Sequence, residues 1–325
     1  VKQVLVTGAA GFIGSSLCGW LAQQGYVVRG TLRCQDQRLA ERKPPENTHY
    51  VCVGDIDSWT RWSDALQGVE VVLHLASRVH VMRESDPDPL AAFRRVNVAG
   101  TERLAREAIA TGVRRLVYVS SVKVNGEHTT EQPFSTRDVA QPQDPYAVSK
   151  WEAEQVLRRL ASKSGLEVVI VRPPLVYGPG VGGNFLRLLK LVDRGVPLPL
   201  VGEFNRRSLV SVFNLCDLLK QCLEHRRAAG QIFLVSDGED LSTVELIRRL
   251  ARAMGKPARL FPIPEPLLRL LGRVTGKSAE VNRLWGSLQV DISMTQHHLG
   301  WEPSVSVEEG LARTIRWYLA SRERS

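Results

Sequence analysis

The sequence predicts an α/β fold, a doubly wound parallel sheet followed by a smaller C-terminal lobe. Three observations carry this expectation. Short β-rich runs alternate with amphipathic helical stretches through the first half of the chain. Three glycines, Gly8, Gly11 and Gly14, stand directly between the first strand and the first helix. After Pro173 the regular alternation gives way to Pro, Gly and short mixed elements. Strand, helix and strand in repetition force right-handed crossovers, and therefore a parallel sheet covered on both faces.

Taken in order, residues 4–6 form a strand, and 12–24 a helix, because Ile13, Leu17 and Leu21 recur at spacing four. Residues 26–32 are a second strand. The runs 50–53, 69–75, 116–120 and 168–171 read as further buried strands, with 89–111 and 145–164 as helices between them. Beyond Pro173 the expected elements are 185–192, 209–212, 215–225, 231–235, 243–254 and 307–319. Some of these are expected to return to the main sheet. The chain divides into 1–173 and 174–325, and no fixed-period repeat is present.

A length of 325 residues suits one large α/β unit or two closely joined ones. With 43% hydrophobic and 24% charged residues the chain has the composition of a folded protein throughout. The net charge of +9 is dispersed: Arg94, Arg95, Arg103, Arg106, Arg114 and Arg115 recur among acidic and apolar neighbours on helical stretches. That pattern describes solvated helix faces, so no nucleic-acid partner is expected. Cys18, Cys34, Cys52, Cys216 and Cys222 contain no CxxC pair and read as free thiols in a reducing compartment; no metal site is expected. The first strand begins too early for a secretory leader. No apolar run approaches the ~18 residues of a membrane span. The expectation is a cytoplasmic protein without an integral membrane segment, in which the apolar and basic stretch 266–277 is a packed lobe helix.

The glycine turn is the first feature with chemistry. Gly8, Gly11 and Gly14 provide a tight turn, close backbone approach and close helix–strand packing, and the helix N-terminus that follows offers unpaired N–H groups to phosphates. This is the dinucleotide site of a Rossmann-type doubly wound parallel sheet. At the end of the second strand, where a carboxylate usually bonds the adenosine 2′-hydroxyl of NAD, the chain has Thr31 and Arg33. Thr31 leaves room and Arg33 offers a cation to a 2′-phosphate, so NADP (NADPH) is favoured over NAD.

Tyr146 and Lys150 lie four apart at the start of a helix opened by Pro145, which places phenol and ammonium on one face. A neighbouring cation brings a phenol of pKa near ~10 into range for proton transfer. Leu116 to Ser121 ends a strand at the sheet's carboxyl edge, where open α/β sheets bind ligands, and a serine hydroxyl there can orient a substrate oxygen.

With Ser, Tyr and Lys in this order after the glycine turn, the chain resembles the extended short-chain dehydrogenase/reductases, the NAD-dependent epimerase/dehydratase family of nucleotide-sugar enzymes. Counting back from Gly126 matches Ser121, not Ser120, to the family's hydroxyl. The resemblance implies a catalytic set of Ser121, Tyr146 and Lys150. It implies a cofactor lined by Gly8, Gly11, Phe12, Ile13, Gly14, Arg33, Asp55, Ile56, Leu75, Ala76 and Pro173, besides Tyr146 and Lys150. Asn184, Arg207 and Arg283 match positions that hold the diphosphate of a UDP-sugar substrate, with Arg206 a rival to Arg207. His74 carries no assigned chemistry, Asn97 a structural role, and a homodimer is implied.

Dehydratases of this family carry an Asp-Glu pair after the catalytic hydroxyl; Val122 and Lys123 stand there, so dehydration is not expected. The runs 79–85, 173–177 and 235–241 look most like bacterial reductases that finish UDP-N-acetylquinovosamine for surface polysaccharide. The leading expectation is therefore an NADPH-dependent 4-ketoreductase of a UDP-linked 4-keto-6-deoxy amino sugar. The alternative is a UDP-hexose or UDP-N-acetylhexosamine 4-epimerase using bound NAD, and a remote one is a non-catalytic dinucleotide sensor. Asn125, where the family often has Tyr, has no explanation at this level.

Overall fold

The computed structural model describes residues 3–33, 45–79, 87–199, 205–261 and 286–323. Arg283 and the stretch 266–277 lie outside the described residues. At the centre is a seven-stranded sheet in the order β10-β6-β5-β4-β1-β2-β3. Its strands are β1 (Gln3–Thr7), β2 (Val27–Leu32), β3 (Thr48–Cys52), β4 (Val71–His74), β5 (Arg115–Val119), β6 (Glu167–Arg172) and β10 (Ile232–Leu234). All six pairings are parallel. The order reverses between β1 and β4, and a crevice forms at that switch point beyond the carboxyl ends of the strands.

One face of the sheet is covered by α1 (Phe12–Gln23) and α7 (Val212–Glu224), whose Leu17, Leu21, Leu215 and Leu219 pack against Val4, Val6 and Val117. The other face is covered by α2 (Ser63–Leu66), α4 (Thr101–Ala110) and α5 (Pro145–Ala161), through Leu104, Ala108, Ala153 and Leu157. Strand and helix residues therefore close two apolar layers. A parallel sheet requires both, since its strands are apolar on either side. Two elements from beyond residue 173, β10 and α7, belong to this body.

The third cluster is the lobe. It gathers α6 (Gly183–Asp193), α8 (Thr243–Ala253) and α10 (Val307–Arg322) around Phe185, Leu189, Leu250 and Ile315. A three-stranded sheet lies beside it: β7 (Leu175–Tyr177) pairs parallel with β9 (Arg207–Ser211), which pairs antiparallel with β11 (Asp240–Leu241). β8 (Leu198–Pro199) pairs with β12 (Leu260–Phe261), and α9 (Ser293–Leu299) ends on Gly300 in the left-handed conformation, φ 61°.

Two sequence expectations are corrected. The helix expected over 89–111 is α3 (Pro89–Arg94), a π-helical segment Arg95–Gly100, and then α4. The wider turn opens the helix at Asn97, whose buried side chain has partners on two other segments. The free-thiol reading fits Cys18, Cys216 and Cys222, which are buried and free; Cys52 is disulfide-bonded. The difference lies in burial, because Cys52 ends an edge strand and faces outward. Among the described residues no helix is long and apolar enough to cross a membrane.

Candidate active site

The glycine turn sits at the switch point. Gly8 has φ 70°, a conformation that favours glycine, and a methyl there would come within 3.0 Å of the Ala76 backbone. A methyl on Gly14 would sit 2.1 Å from the Gly8 carbonyl oxygen. The N-cap of α1 is Gly11, so no side chain occupies the first N–H groups of the helix. A backbone cradle ending in a helix N-terminus without a side-chain cap fits the pyrophosphate of a dinucleotide. The Phe12 ring lies against Gly178 and Gly180, and Ile13 is half-buried beside it in the sequence.

Around the turn, the N–H groups of Leu75 and Ala76 both donate to Thr7 Oγ1, at 3.1 and 3.0 Å. Ile56 packs on Gly100, and Asp55 is exposed at the carboxyl end of β3. Thr31, read as leaving room at the strand end, is 2% exposed, with its carbonyl accepting from Ala9 N. Gly30, Thr31 and Leu32 are all buried at this end of β2, while Arg33, just past the strand, is exposed.

The candidate catalytic set comes from two elements. Asp144 caps α5, its Oδ1 accepting from Ala147 N at 2.7 Å, and Pro145 occupies the first turn. Tyr146 follows, with the Ser121 and Ser77 hydroxyls near enough to influence its phenol. Phe93 meets its ring edge-on, at 6.0 Å between centroids. Burial and then the Asp144 charge push the phenol up to about 12, and the two serines pull the other way. Lys150, 1% exposed, donates to Val119 O at 2.7 Å and lies 4.1 Å from the centre of the Tyr118 ring. Burial brings the ammonium down to about 7 against the opposing charge of Glu154. The expected lowering of the phenol by Lys150 is not among the influences on it: burial and the Asp144 charge both raise the phenol, while burial lowers the ammonium against Glu154.

The two adjacent serines have different tasks. Ser120 Oγ donates to Glu154 Oε1 at 2.5 Å, inside the sheet–helix interface. Ser121 follows the strand, accepts from Lys123 N at 3.2 Å and is one of the two serines that lower the phenol. Glu154 also holds Arg172 through two bonds, and Arg172 Nη1 donates to Asn125 Oδ1 at 2.9 Å. Asn125 Nδ2 in turn donates to Ser135 O. The departure at Asn125 is thereby explained: an amide fits between a buried guanidinium and a carbonyl, where it is needed as both acceptor and donor.

Sequence reasoning missed Ser77, Glu154 and Arg172. Ser77 had a signal, its place just beyond β4 at the carboxyl edge; Glu154 had one in its spacing of four from Lys150. Pro173 is buried and its carbonyl accepts from Val122 N, which fixes the Ser121 segment. Asn184 stands exposed in the first turn of α6. Arg207 is half-buried and donates to Gly286 O at 2.9 Å, whereas Arg206 is exposed. A cavity of about 480 Å³, lined by Gln132, Ser135, Asp138, Asp240 and Asp291 among others, includes none of the catalytic residues. The hydroxyl, phenol and ammonium locate the chemistry better than that hollow does.

A family profile described as "NAD dependent epimerase/dehydratase family" matches residues 4–236. The chain is 45% identical to a protein of Vibrio cholerae described as "UDP-glucose 4-epimerase", over 99% of this chain and 97% of the relative. It is 27% identical to an Escherichia coli O157:H7 protein described as "N-acetyl-alpha-D-glucosaminyl-diphospho-ditrans,octacis-undecaprenol 4-epimerase", over 97% and 95%. Among solved structures it resembles MoeE5 in complex with UDP-glucose and NAD, at 27% identity and a TM-score of 0.77, covering 99% of this chain and 100% of that one.

Proposed function

The chain belongs to the NAD dependent epimerase/dehydratase family, and from that premise we propose that it is a UDP-hexose or UDP-N-acetylhexosamine 4-epimerase working with a retained NAD. The observation that carries this is Ser121 just past the end of β5 and Tyr146 in the first turn of α5, near enough that the hydroxyl acts on the phenol, with Lys150 one helical turn on and no carboxylate at 122 or 123. The likeness to the Vibrio cholerae 4-epimerase over nearly the whole of both chains supports epimerisation over the ketoreductase that the sequence put first. Arg33 remains the one residue that favours NADPH.

When bound, the dinucleotide supplies the acceptor and later the donor of the hydride at sugar C4. The protein's own work is proton transfer and orientation. Ser121 holds the C4 oxygen, Tyr146 removes its proton as phenolate and returns it as phenol, and Lys150 would hold the ribose of the dinucleotide. Asn184 and Arg207 hold the UDP diphosphate, for which a guanidinium fork is suited. In this proposal 1–173 serves mainly the cofactor and 174–325 mainly the sugar nucleotide. A homodimer in the cytoplasm is part of the same proposal.

The test is incubation with UDP-glucose, UDP-galactose and their N-acetylated forms. Interconversion to equilibrium without net consumption of dinucleotide is expected. Stoichiometric NADPH oxidation with a UDP-4-keto sugar, and no interconversion, would overturn the proposal in favour of the ketoreductase. Tyr146→Phe should cost ~10² to 10⁴ in rate with cofactor binding kept.

A further inference from the structure

We infer that Lys123 is a positioning residue for Tyr146: it clamps Asp144, the cap of the catalytic helix, and offsets the carboxylate charge that stands against the phenolate.

Lys123 Nζ donates to Asp144 Oδ2 at 2.5 Å and to Glu127 Oε1 at 2.8 Å. Asp144 spends its other oxygen on Ala147 N, so one carboxylate joins the ammonium to the first turn of α5. Tyr146 is in that turn. At its other end Lys123 is tied to the second catalytic group, since its backbone N–H donates to Ser121 Oγ. One residue therefore braces the hydroxyl by its backbone and the phenol's helix by its side chain. The side chains of Lys123, Glu127 and Asp144 are only 22–27% exposed, so this is a partly shielded cluster and not a solvated pair.

The electrostatics act in the same direction. Asp144 is the carboxylate that raises the Tyr146 phenol, after burial. Burial works against the Asp144 carboxylate itself, yet Lys123 and the Ala147 N–H hold it below the usual range, so it stays charged. The other groups around Tyr146 are Ser77 and Ser121, the Phe93 ring with the Arg78 guanidinium 5.5 Å from its centre, Tyr118 on β5, and Lys150 on its own helix. Without the Lys123 cation, the Asp144 carboxylate would act on the phenol without an ammonium bound to it, and phenolate would cost more.

This inference rests on Tyr146 as the proton-transfer group, and the experiment separates the two. Phenolate formation is followed by ultraviolet difference absorbance, with Tyr146→Phe subtracted, alongside the pH profile of kcat/KM. Lys123→Gln should move the Tyr146 midpoint up, with about tenfold less activity at a fixed pH below it. Asp144→Asn, which keeps a good helix cap, should move it down. Lys123→Arg should restore the wild-type midpoint. Midpoints that do not move, or that move the same way in Lys123→Gln and Asp144→Asn, overturn the inference. Opposite shifts with a rate that ignores them support the Lys123 role and instead overturn proton transfer by Tyr146.

Discussion

At the residue scale, His74 shows how a buried titratable group is spent on order. Thr7 Oγ1 accepts from Leu75 N and Ala76 N, so its own proton goes to His74 Nδ1, 2.7 Å away. His74 therefore carries its proton on Nε2 and donates to Thr101 Oγ1, which donates to Asn97 O. Asn97 Nδ2 donates to Ser149 Oγ, and Ser149 to Tyr146 O. A directed chain thus runs from the cofactor edge of β1 and β4 to the catalytic helix. Burial, with Lys150 nearby, holds the imidazole down to about 3. An unfolded chain protonates it near its ordinary 6.5 while the folded one does not, so the unfolded state binds the extra proton in between. Stability from this site is complete above about 6.5 and falls as pH drops towards 3. Melting temperatures measured across that window should fall less steeply for His74→Gln than for wild type; equal slopes would remove His74 as the cause.

At the scale of elements, the turn from β1 into α1 is set by where a methyl can go. The Gly14 position faces backbone on the other side of the turn, while Gly19, in the same helix, has nothing within 4 Å. Gly14→Ala should therefore weaken dinucleotide binding at least roughly tenfold, about 1.4 kcal/mol. Gly19→Ala should leave binding unchanged and raise stability by about 0.5–1 kcal/mol. Titration of NAD into both variants checks the pair. Equal affinities would mean that the turn yields to a methyl and that close packing at Gly14 is not what shapes the cradle. The π-helical segment is the other element-level device. Its extra residue per turn lets Asn97 bond Arg78 N and Arg78 O as well as Ser149.

At the scale of the whole molecule, Asp237 joins the main sheet to the lobe. It follows β10 and accepts from Ser211 N at the start of α7, from Asn214 Nδ2, and from the Tyr177 hydroxyl at 2.7 Å. Burial raises its carboxyl despite these donors. Tyr177→Phe removes one donor from a buried carboxylate and should cost about 1–3 kcal/mol. The cost should be larger at a pH where Asp237 is ionised than at a lower one where it is protonated. Chemical denaturation at the two pH values measures it, and a loss independent of pH would assign the effect to packing against Phe185 and Gly310 instead.

The sequence by itself determined the alternation that gives the parallel sheet, the glycine turn, and the Ser121, Tyr146 and Lys150 set. Each is local: a period of two or of 3.6, a spacing of three, a spacing of four on one helix face. It also placed Ser121 ahead of Ser120, and excluded a carboxylate at 122 and 123. Tertiary structure decided what depends on partners distant in the chain. Only folding brings Glu154 and Arg172 to Asn125, Asp144 to Lys123, and Asp237 to Tyr177. It buries Thr31 although the strand end read as open, and it sets Lys150 against Val119 and Tyr118. Burial is a property of the assembled layers and has no period in the sequence, yet it is the largest influence on both the phenol and the ammonium. The candidate reacting groups were therefore legible in the chain, and their protonation was not.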